Sequence, residues 1–360
     1  MYQWLSGKLE IAHGENTPLR SMEGLRGVAV FLVFWVHYSS LIEPWLLGQS
    51  IQVAHFIHSF GHLGVDLFFV LSGYLIYGSI ISKQTFVIGT YAKRRIQRIY
   101  PTFLVVFVIY LALSFMLPAQ SKLPEGIWQQ AWYIGQNLLL LPGIFDIEPI
   151  ITVAWSLSYE VFYYLLIPIV IFGLRLKSWS AENRIILWIS VAVLGFIAGY
   201  FWEGPIRLLM FISGVLLFEL HSQQRWTFTK GGTRILLMSM FGFAIARTYG
   251  IDYIVCMVMV FVAFTLLGLC AFNSNSYVAK WLTFTPLRWL GNMSYSYYLL
   301  HGLTLKFCFL IFAHFIPPTV PFDNLYYWLW LPFFILTLLS SFILFIQIER
   351  PWSLAIKHAR

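Results

Sequence analysis

The amino-acid sequence predicts an all-α polytopic membrane protein, and two properties of the chain indicate this fold class. Of the 360 residues, 59% are hydrophobic and only 11% are charged, which is more apolar surface than a soluble domain of this size can bury. Uncharged stretches of about 17 to 25 residues recur along the chain, and each can cross a hydrocarbon layer roughly 30 Å thick as a helix. We therefore expect one transmembrane domain over residues 1–360.

Ten of these stretches are predicted to span the membrane. They are residues 27–46, 63–82, 99–117, 153–173, 185–202, 205–220, 234–250, 252–271, 292–315 and 326–347. A short segment, 1–26, precedes the first span, which we expect to be an uncleaved anchor. The connection 118–152 is the one long loop, and its apolar segment "WYIGQNLLLLPGIF" is expected to lie at the interface or to fold back into the bundle.

The net charge of +8 first suggests nucleic-acid binding, but the distribution of the charge indicates membrane topology. With ten spans, alternate connections lie on the same side of the membrane, and that side holds 19 of the 23 lysines and arginines. The positive-inside rule makes this side the cytoplasm and places both termini there. The three cysteines stand singly in apolar segments, without the spacing of a metal or redox site, so we expect no metal centre.

The first predicted span carries an arginine and a histidine on one helix face. Arg26 and His37 are eleven residues apart, which is three helical turns and a rise of roughly 16 Å. This places Arg26 at the cytoplasmic boundary and His37 near the middle of the bilayer, where an ionisable group is costly and is a candidate functional residue. The alternative is a neutral histidine bonded to a neighbouring hydroxyl. Gly24 and Gly27 are expected to let a neighbouring helix or a ligand approach closely.

The second span, "HLGVDLFFVLSGYLIY", places Asp66, Gly73 and Tyr77 on one stripe, with Ser72 at mid-depth. Gly73 is expected to serve helix packing. Asp66 is either a site residue or a structural partner for a neighbouring helix, and the pattern slightly favours the structural role.

The next segment, "YAKRRIQRIYP", concentrates positive charge just before Pro101. Arg95 and Arg98 lie three residues apart and share a face of a helical turn, with Arg94 beside them. Because guanidinium groups bind phosphate bidentately, the cluster predicts a clamp for an anionic ligand from the cytoplasm. The alternative is anchoring to anionic lipid headgroups.

The fourth span begins "AWSLSYEVFYY" and carries a polar stripe formed by Ser156, Glu160, Tyr163 and Tyr164. A carboxylate at this depth must be paired, protonated or in contact with a water-filled cavity. We expect Glu160 to be functional and to lie at a depth compatible with His37; the alternative is a structural hydrogen bond.

The ninth span, "GNMSYSYYLLHG", contains Tyr298 and a second intramembrane histidine, His301. A tyrosine ladder usually serves packing, whereas a buried histidine is harder to explain in that way. The motif "IERP", which includes Glu349, is expected to end the last helix and to pair with the arginine cluster on the same side.

Together these motifs resemble the acyltransferase family 3 proteins, bacterial inner-membrane enzymes that O-acylate envelope or exported glycans. The similar strings are "EGLRGVAVFLVFWVH", "LGVDLFFVLSGYLI", "RRIQRIYP", "WSLSYEVFYY", "SYSYYLLH" and "ERP", in the family's order over residues 23–351. The resemblance implies a ten-helix core and a cytoplasmic acyl-CoA co-substrate, commonly acetyl-CoA. It also implies a sugar hydroxyl as acceptor, on a lipid-linked or exported polysaccharide.

The resemblance also implies roles for individual residues. His37 is the catalytic candidate, supported by Arg26, while Arg95 and Arg98 are associated with the donor and Glu160 is a family-typical acid. Glu23 stands where many members have aspartate. Many relatives carry an additional C-terminal hydrolase-like domain, and we expect this chain to be the form without it.

The resulting hypothesis is that acyl-CoA phosphates bind at Arg95, Arg98 and Arg94, and that the pantetheine arm delivers the thioester to His37. Burial is expected to keep His37 neutral, so that it accepts the proton of the sugar hydroxyl.

The main alternative is a proton-coupled transporter with His37, Glu160 and His301 as a relay, although the two matching halves typical of such proteins are not evident. A different class of membrane O-acyltransferase with an intramembrane histidine is a third hypothesis.

Overall fold

A computed structural model describes residues 2–11, 17–224, 228–318 and 324–354, and every regular element within these ranges is helical. The helices are α1 (Tyr2–Leu9), α2 (Thr17–Ile42), α3 (Gly48–Gly61), α4 (Leu63–Ile81), α5 (Ile88–Met116), α6 (Ile127–Leu138), α7 (Trp155–Gly173), α8 (Ala181–Trp202), α9 (Leu209–Ser222), α10 (Gly232–Thr248), α11 (Tyr253–Ala271), α12 (Tyr277–Leu282), α13 (Thr285–Asn292), α14 (Ser294–Phe315) and α15 (Leu325–Leu344). A π-helix over Phe345–Leu354 continues α15. The predicted all-α membrane fold is confirmed.

Each predicted span contains a helix, but the helices differ in length. Within the described ranges, eight segments are long and apolar enough to cross a membrane. Two of the ten predicted spans correspond to shorter helices, because α9 has 14 residues and α10 has 17. The total of ten spans and the cytoplasmic location of both termini remain predictions.

Two helices begin about ten residues before the predicted membrane spans that they contain, and both differences have the same cause. Helix α2 begins at Thr17 rather than at residue 27, so Arg26 lies inside the helix and much of the predicted segment 1–26 is helical. Helix α5 begins at Ile88 rather than at residue 99, so the arginine cluster is helical and Pro101 lies inside the helix. A charged residue marks the edge of the apolar layer, but backbone hydrogen bonding continues past it.

Two further segments contain more helix than predicted. The long connection 118–152 includes α6, which has a strongly apolar face. The "ERP" motif does not end the last helix, because the π-helix carries the chain on to Leu354. This continuation turns Glu349 into the protein interior, where its side chain is fully buried.

Helix α2 lies at the centre of the bundle and contributes to both large apolar cores. It packs against α3, α4 and α13, and also against α14 and α15. Val28 and Leu32 belong to the core shared with α4, α7 and α9, whereas Phe34 and Tyr38 belong to the core shared with α14 and α15. Residues of α2 that avoid both cores are therefore free to face cavities.

Glycines allow the closest helix contacts, as predicted for Gly73. A Cβ atom on Gly73 of α4 would collide with the backbone of Phe211 in α9, and one on Gly214 of α9 would collide with the backbone of Val70 in α4. Helix association inside a membrane depends on such close packing, because lipid tails are as apolar as the side chains. At the α4–α9 contact the two helix backbones thus approach each other directly, and each helix contributes a glycine.

Gly24 and Gly27 serve the same purpose in α2. Their Cα atoms face the backbone carbonyls of Leu282 at the end of α12 and Leu287 in α13. The predicted close approach of a neighbour is confirmed, and it fixes the part of α2 that carries Arg26.

The α4–α9 contact generates a stability prediction. Gly73→Leu has to separate two helix backbones, so we expect the midpoint of thermal unfolding in detergent to fall by roughly 5 °C or more. Gly242→Leu is the matched control, since a Cβ atom at this position of α10 would meet nothing within 4 Å. Equal midpoints for the two variants would contradict the proposed packing role.

Candidate active site

Five predicted site residues meet in one small cavity between five helices. This arginine cavity, about 90 Å³ in volume, is lined by Arg26 of α2, Ser72 of α4, Arg98 of α5, Ser156 and Glu160 of α7, and Tyr298 with Tyr295 of α14. The sequence placed these residues on separate helices without a contact between them. The structure therefore adds a common site with two guanidinium groups and one carboxyl group.

The two arginines of this cavity differ in their partners. Arg98 donates through Nη1 to Glu349 Oε1 at 2.7 Å, and its guanidinium group lies over the ring of Tyr295. Arg26 makes no hydrogen bond or ion pair with any described residue, although it lies in the electrostatic field of Arg98 and Glu160. Of these two arginines, Arg26 is thus the one whose guanidinium group has no protein partner among the described residues.

Glu349 holds the cytoplasmic part of the site together. Its Oε2 accepts hydrogen bonds from the backbone N and from Oγ of Ser296 at 2.9 and 2.6 Å, while its other oxygen binds Arg98. The π-helix is thereby tied to both α5 and α14. The predicted pairing of the terminal motif with the arginine cluster is confirmed.

Arg94 and Arg95 occupy different surroundings. Arg95 donates to Ser79 Oγ at 2.8 Å and lies between the rings of Tyr91 and Tyr164. Arg94 is exposed and has no partner within the described chain. Arg95 and Arg98 do turn inward from the same face, as their spacing predicted, but both are already engaged by protein groups.

His37 lies against His301, which the sequence had singled out separately. The two rings meet edge to face with their centroids 4.9 Å apart. His301 is fully buried, and its Nδ1 lies 2.8 and 2.9 Å from the backbone carbonyl oxygens of Tyr297 and Tyr298. Because both partners are acceptors, Nδ1 carries the proton and Nε2 keeps its lone pair. Within the described chain, that buried Nε2 has no hydrogen-bond partner.

His37 borders two further cavities. The histidine cavity, about 300 Å³, is lined by His37, His62, Arg207, Trp155 and Tyr298, together with Val33, Val65, Thr152 and Val153. The lysine cavity, about 350 Å³, has eight lining residues with polar groups, which are His37, Ser40, Tyr110, Ser114, Gln120, Lys122, Thr152 and Lys306. His37, Thr152 and Val153 form the wall between them, and Tyr298 and Val65 are shared by the histidine and arginine cavities.

The arginine and lysine cavities lie in opposite halves of the bundle. Helix α5 lines the first with Arg98 and Ile99, and the second with Tyr110, Leu113 and Ser114. The twelve residues from Arg98 to Tyr110 correspond to roughly 18 Å of helix. The histidine cavity adjoins both of the other cavities, because it shares lining residues with each of them.

Glu160 and His37 line different cavities, and their compatible depth stays a prediction. Glu160 accepts a hydrogen bond from the hydroxyl of Tyr164 and lines the arginine cavity, whereas His37 lines the two other cavities. The polar residues of α7 lie at different depths along the helix. Their spacing on one helix does not determine which neighbouring helix each of them contacts.

Two other candidates have structural partners. Asp66 is fully buried, with Oδ1 at 3.7 Å from Nε of Arg207, which agrees with the favoured structural role. Glu23 accepts a hydrogen bond from Arg288 at 2.8 Å, and Arg288 also binds Glu10 at 2.6 Å. Glu23 thus joins α2 to α13 rather than lining one of the three cavities.

The sequence predicted no role for four basic residues that line these cavities, which are His62, Lys122, Arg207 and Lys306. Lys306 carried a usable signal, because a lysine near the centre of an apolar span needs a reason to be there. Arg207 precedes α9 in a short connection, where no periodic pattern indicates its direction.

The fold and the three cavities define a polytopic membrane protein with a polar site that extends through the bundle. The chain belongs to the acyltransferase 3 family, since the family's acyltransferase domain matches residues 19–346.

Similar proteins include O-acetyltransferases from several bacteria. O-acetyltransferase OatA of Staphylococcus aureus is 29% identical over 324 residues, covering 78% of this chain and 50% of that protein. Acyltransferase MdmB of Streptomyces mycarofaciens is 27% identical, covering 80% of this chain and 79% of that protein. Peptidoglycan O-acetyltransferase OatA of Listeria monocytogenes is 26% identical, covering 78% and 48%. The chain thus spans about half the length of the OatA proteins. No solved structure matches it.

The Arg98–Glu349 pair generates the second prediction. Glu349→Ala leaves Arg98 and Ser296 without their partner, so we expect the free energy of unfolding to fall by about 2–3 kcal/mol. Arg98→Ala should cost a similar amount, and the double variant should cost clearly less than the sum, as measured by denaturant unfolding in detergent. Additive losses would show that the pair does not couple π-helix and α5.

Proposed function

We propose that this chain transfers an acyl group, with acetyl preferred, from cytoplasmic acyl-CoA to a hydroxyl group of an envelope or exported glycan. The observation that carries the proposal is the position of His37 on the wall between two cavities, with arginines at one end of the route. Membership of the acyltransferase 3 family and the similarity to bacterial O-acetyltransferases support this function. We place the protein in the bacterial inner membrane, where both substrates are within reach.

The donor phosphates bind at the arginine cluster of α5 in this proposal. Exposed Arg94 meets the nucleotide first, and the inward-facing Arg95 and Arg98 add positive charge behind it. Arg26, which has no partner among the described residues, binds the part of the donor that enters the arginine cavity. Guanidinium groups suit this role because they remain charged and bind phosphate oxygens bidentately.

The pantetheine arm then reaches His37 through adjoining cavities. The arginine and histidine cavities share Tyr298 and Val65 in their linings, so the proposed passage requires these two side chains to move apart. The passage follows α2, whose Arg26 and His37 lie on one face. A narrow, unbranched arm fits such a route better than a bulky substrate does.

At His37 the reaction is a direct acyl transfer. A ring nitrogen of neutral His37 takes the proton of the acceptor hydroxyl while the hydroxyl oxygen attacks the thioester carbonyl carbon. The C–O bond forms, the C–S bond breaks, and the proton passes from His37 to the departing CoA thiolate. The proton lost by the hydroxyl is thus returned to sulfur, and His37 is restored.

His301 supports this chemistry as a positioning residue. Its Nδ1–H is held by two backbone carbonyl groups, which leaves Nε2 as an acceptor beside His37. In this proposal one ring N–H group of His37 points to this acceptor. The other ring nitrogen of His37 is then unprotonated and directed to the cavities.

The catalytic role of His37 can be tested directly. His37→Ala removes the proton acceptor, so we expect the transfer of labelled acetyl groups from acetyl-CoA to envelope glycan in membranes to fall at least about a hundredfold. CoA binding and thermal stability should stay near wild type. His314→Ala, an exposed histidine in the same membrane-spanning α14 as His301, is the control and should keep full activity. Transfer by His37→Ala at the wild-type rate would refute the role.

Donor binding by the arginine cluster gives a separate prediction. Arg94→Ala removes a charge that has no described protein partner, so it should weaken CoA binding about tenfold and reduce its salt dependence without changing the unfolding midpoint. Arg234→Ala is the matched control, because Arg234 is also exposed and lies on the same predicted side of the membrane. Unchanged CoA affinity in Arg94→Ala, measured by calorimetry at two salt concentrations, would contradict the clamp.

A further inference from the structure

Lys306 is a charged residue in the middle of a membrane-spanning helix. It lies nine residues before the end of α14, which is roughly 13 Å along the helix axis. That distance exceeds the length of a lysine side chain, so extension alone does not bring its ammonium group to the lipid headgroups. Within the described chain, Lys306 makes no ion pair and no hydrogen bond.

Lys306 is exposed, whereas several charged groups inside the bundle have partners of opposite charge. Arg184 binds Glu219 through both carboxylate oxygens at 2.6 and 3.0 Å, and Arg98 binds Glu349. A charge in an apolar layer is costly unless it is paired or faces a polar cavity. Lys306 satisfies this requirement only by lining the lysine cavity.

The lysine cavity is positively charged and has no acidic residue among its described lining. Its second ammonium group, on Lys122, lies 3.1 Å from the carboxylate of Glu148, which offsets that charge. The charge of Lys306 is not offset by any described residue. The same cavity reaches His37 and, at about 350 Å³, falls within the size range of small-molecule sites.

We propose that the lysine cavity binds an anionic acceptor glycan, with a carboxylate or phosphate group of the acceptor paired to Lys306 while one of its hydroxyl groups reaches His37. This inference rests on the proposed acyl transfer and names the chemical class of its acceptor. An ammonium point charge suits either anion, and Ser40, Gln120 and Thr152 offer hydrogen bonds to sugar hydroxyl groups.

The kinetic test compares acidic and neutral acceptors with purified protein in lipid nanodiscs and acetyl-CoA. The acceptors are a disaccharide that contains glucuronic acid, its carboxyl-reduced counterpart, and a polyprenyl-diphosphate-linked disaccharide. We expect the wild type to prefer one of the two anionic acceptors, and Lys306→Gln to raise the KM for that acceptor about tenfold with little change in kcat. Lys306→Arg should retain most of the preference, and Lys280→Gln, outside the cavity, should behave as wild type.

The three acceptors also distinguish the source of the anion. Preference for the glucuronate disaccharide over its reduced form assigns the carboxylate, and preference for the diphosphate-linked acceptor alone assigns the phosphate. Equal use of all three acceptors by the wild type would overturn the inference. So would an equal change of KM for acidic and neutral acceptors in Lys306→Gln.

A binding measurement separates failure of this inference from failure of the proposed function. The His37→Ala protein is titrated with the same three glycans in the absence of acetyl-CoA. A second variant, which carries both His37→Ala and Lys306→Gln, is titrated in the same way. Salt-sensitive binding of an anionic glycan that is lost with Lys306→Gln supports the site even if no acetyl transfer is seen. Binding that is equal for charged and neutral glycans, or unchanged in Lys306→Gln, overturns the site even if transfer occurs.

Discussion

The structure depends on one constraint, which is that a charged side chain inside an apolar bundle must be paired or must face a polar cavity. An unpaired buried charge costs several kcal/mol, which is a large fraction of the stability of a folded protein. Among the described residues, pairs that meet the constraint are Arg98–Glu349, Arg184–Glu219, Arg207–Asp66 and Arg288–Glu23. Each pair joins helices that are separate along the chain. The requirement that buried charges be paired therefore also fixes the order of the helices around the site.

Two basic residues that take no part in these ion pairs, Arg26 and Lys306, are informative about function. Arg26 lines the arginine cavity and Lys306 lines the lysine cavity, and the two cavities occupy opposite halves of the bundle. Helices α2 and α14 both line the two cavities, and each also carries one of the paired histidines. One positive charge in each half of the bundle, with the two histidines between them, suits the proposed reaction, in which the two substrates arrive from different compartments.

The sequence predicted the parts of this arrangement that depend on a single helix. Apolar stretches located the helices, the small size of Gly24, Gly27 and Gly73 indicated close packing, and the spacing of Arg26 and His37 placed both on one face. Helix ends were predicted less well, because hydrophobicity reports the apolar layer rather than the hydrogen-bonded backbone. The contacts of Glu160 were not predicted, for a different reason.

Contacts between helices depend on helix rotation, tilt and depth, and a single sequence does not encode these quantities in a periodic pattern. Glu160 therefore contacts Tyr164 and lines the arginine cavity, while His37 contacts His301 on a helix more than 250 residues later in the chain. Arg98 and Glu349 were paired correctly in the prediction, since a shared membrane side and opposite charge leave few alternatives.

The shared wall formed by His37, Thr152 and Val153 has a consequence for the membrane as a permeability barrier. Cavities enter the bundle from both halves, and at this wall they are separated by little more than one layer of side chains. When the proposed passage between the arginine and histidine cavities is open, any widening of this wall opens a leak for protons and small ions across the membrane. In the proposed reaction the imidazole ring of His37 therefore has a second demand on its shape, because the group that handles a proton must also keep the two compartments electrically insulated from each other.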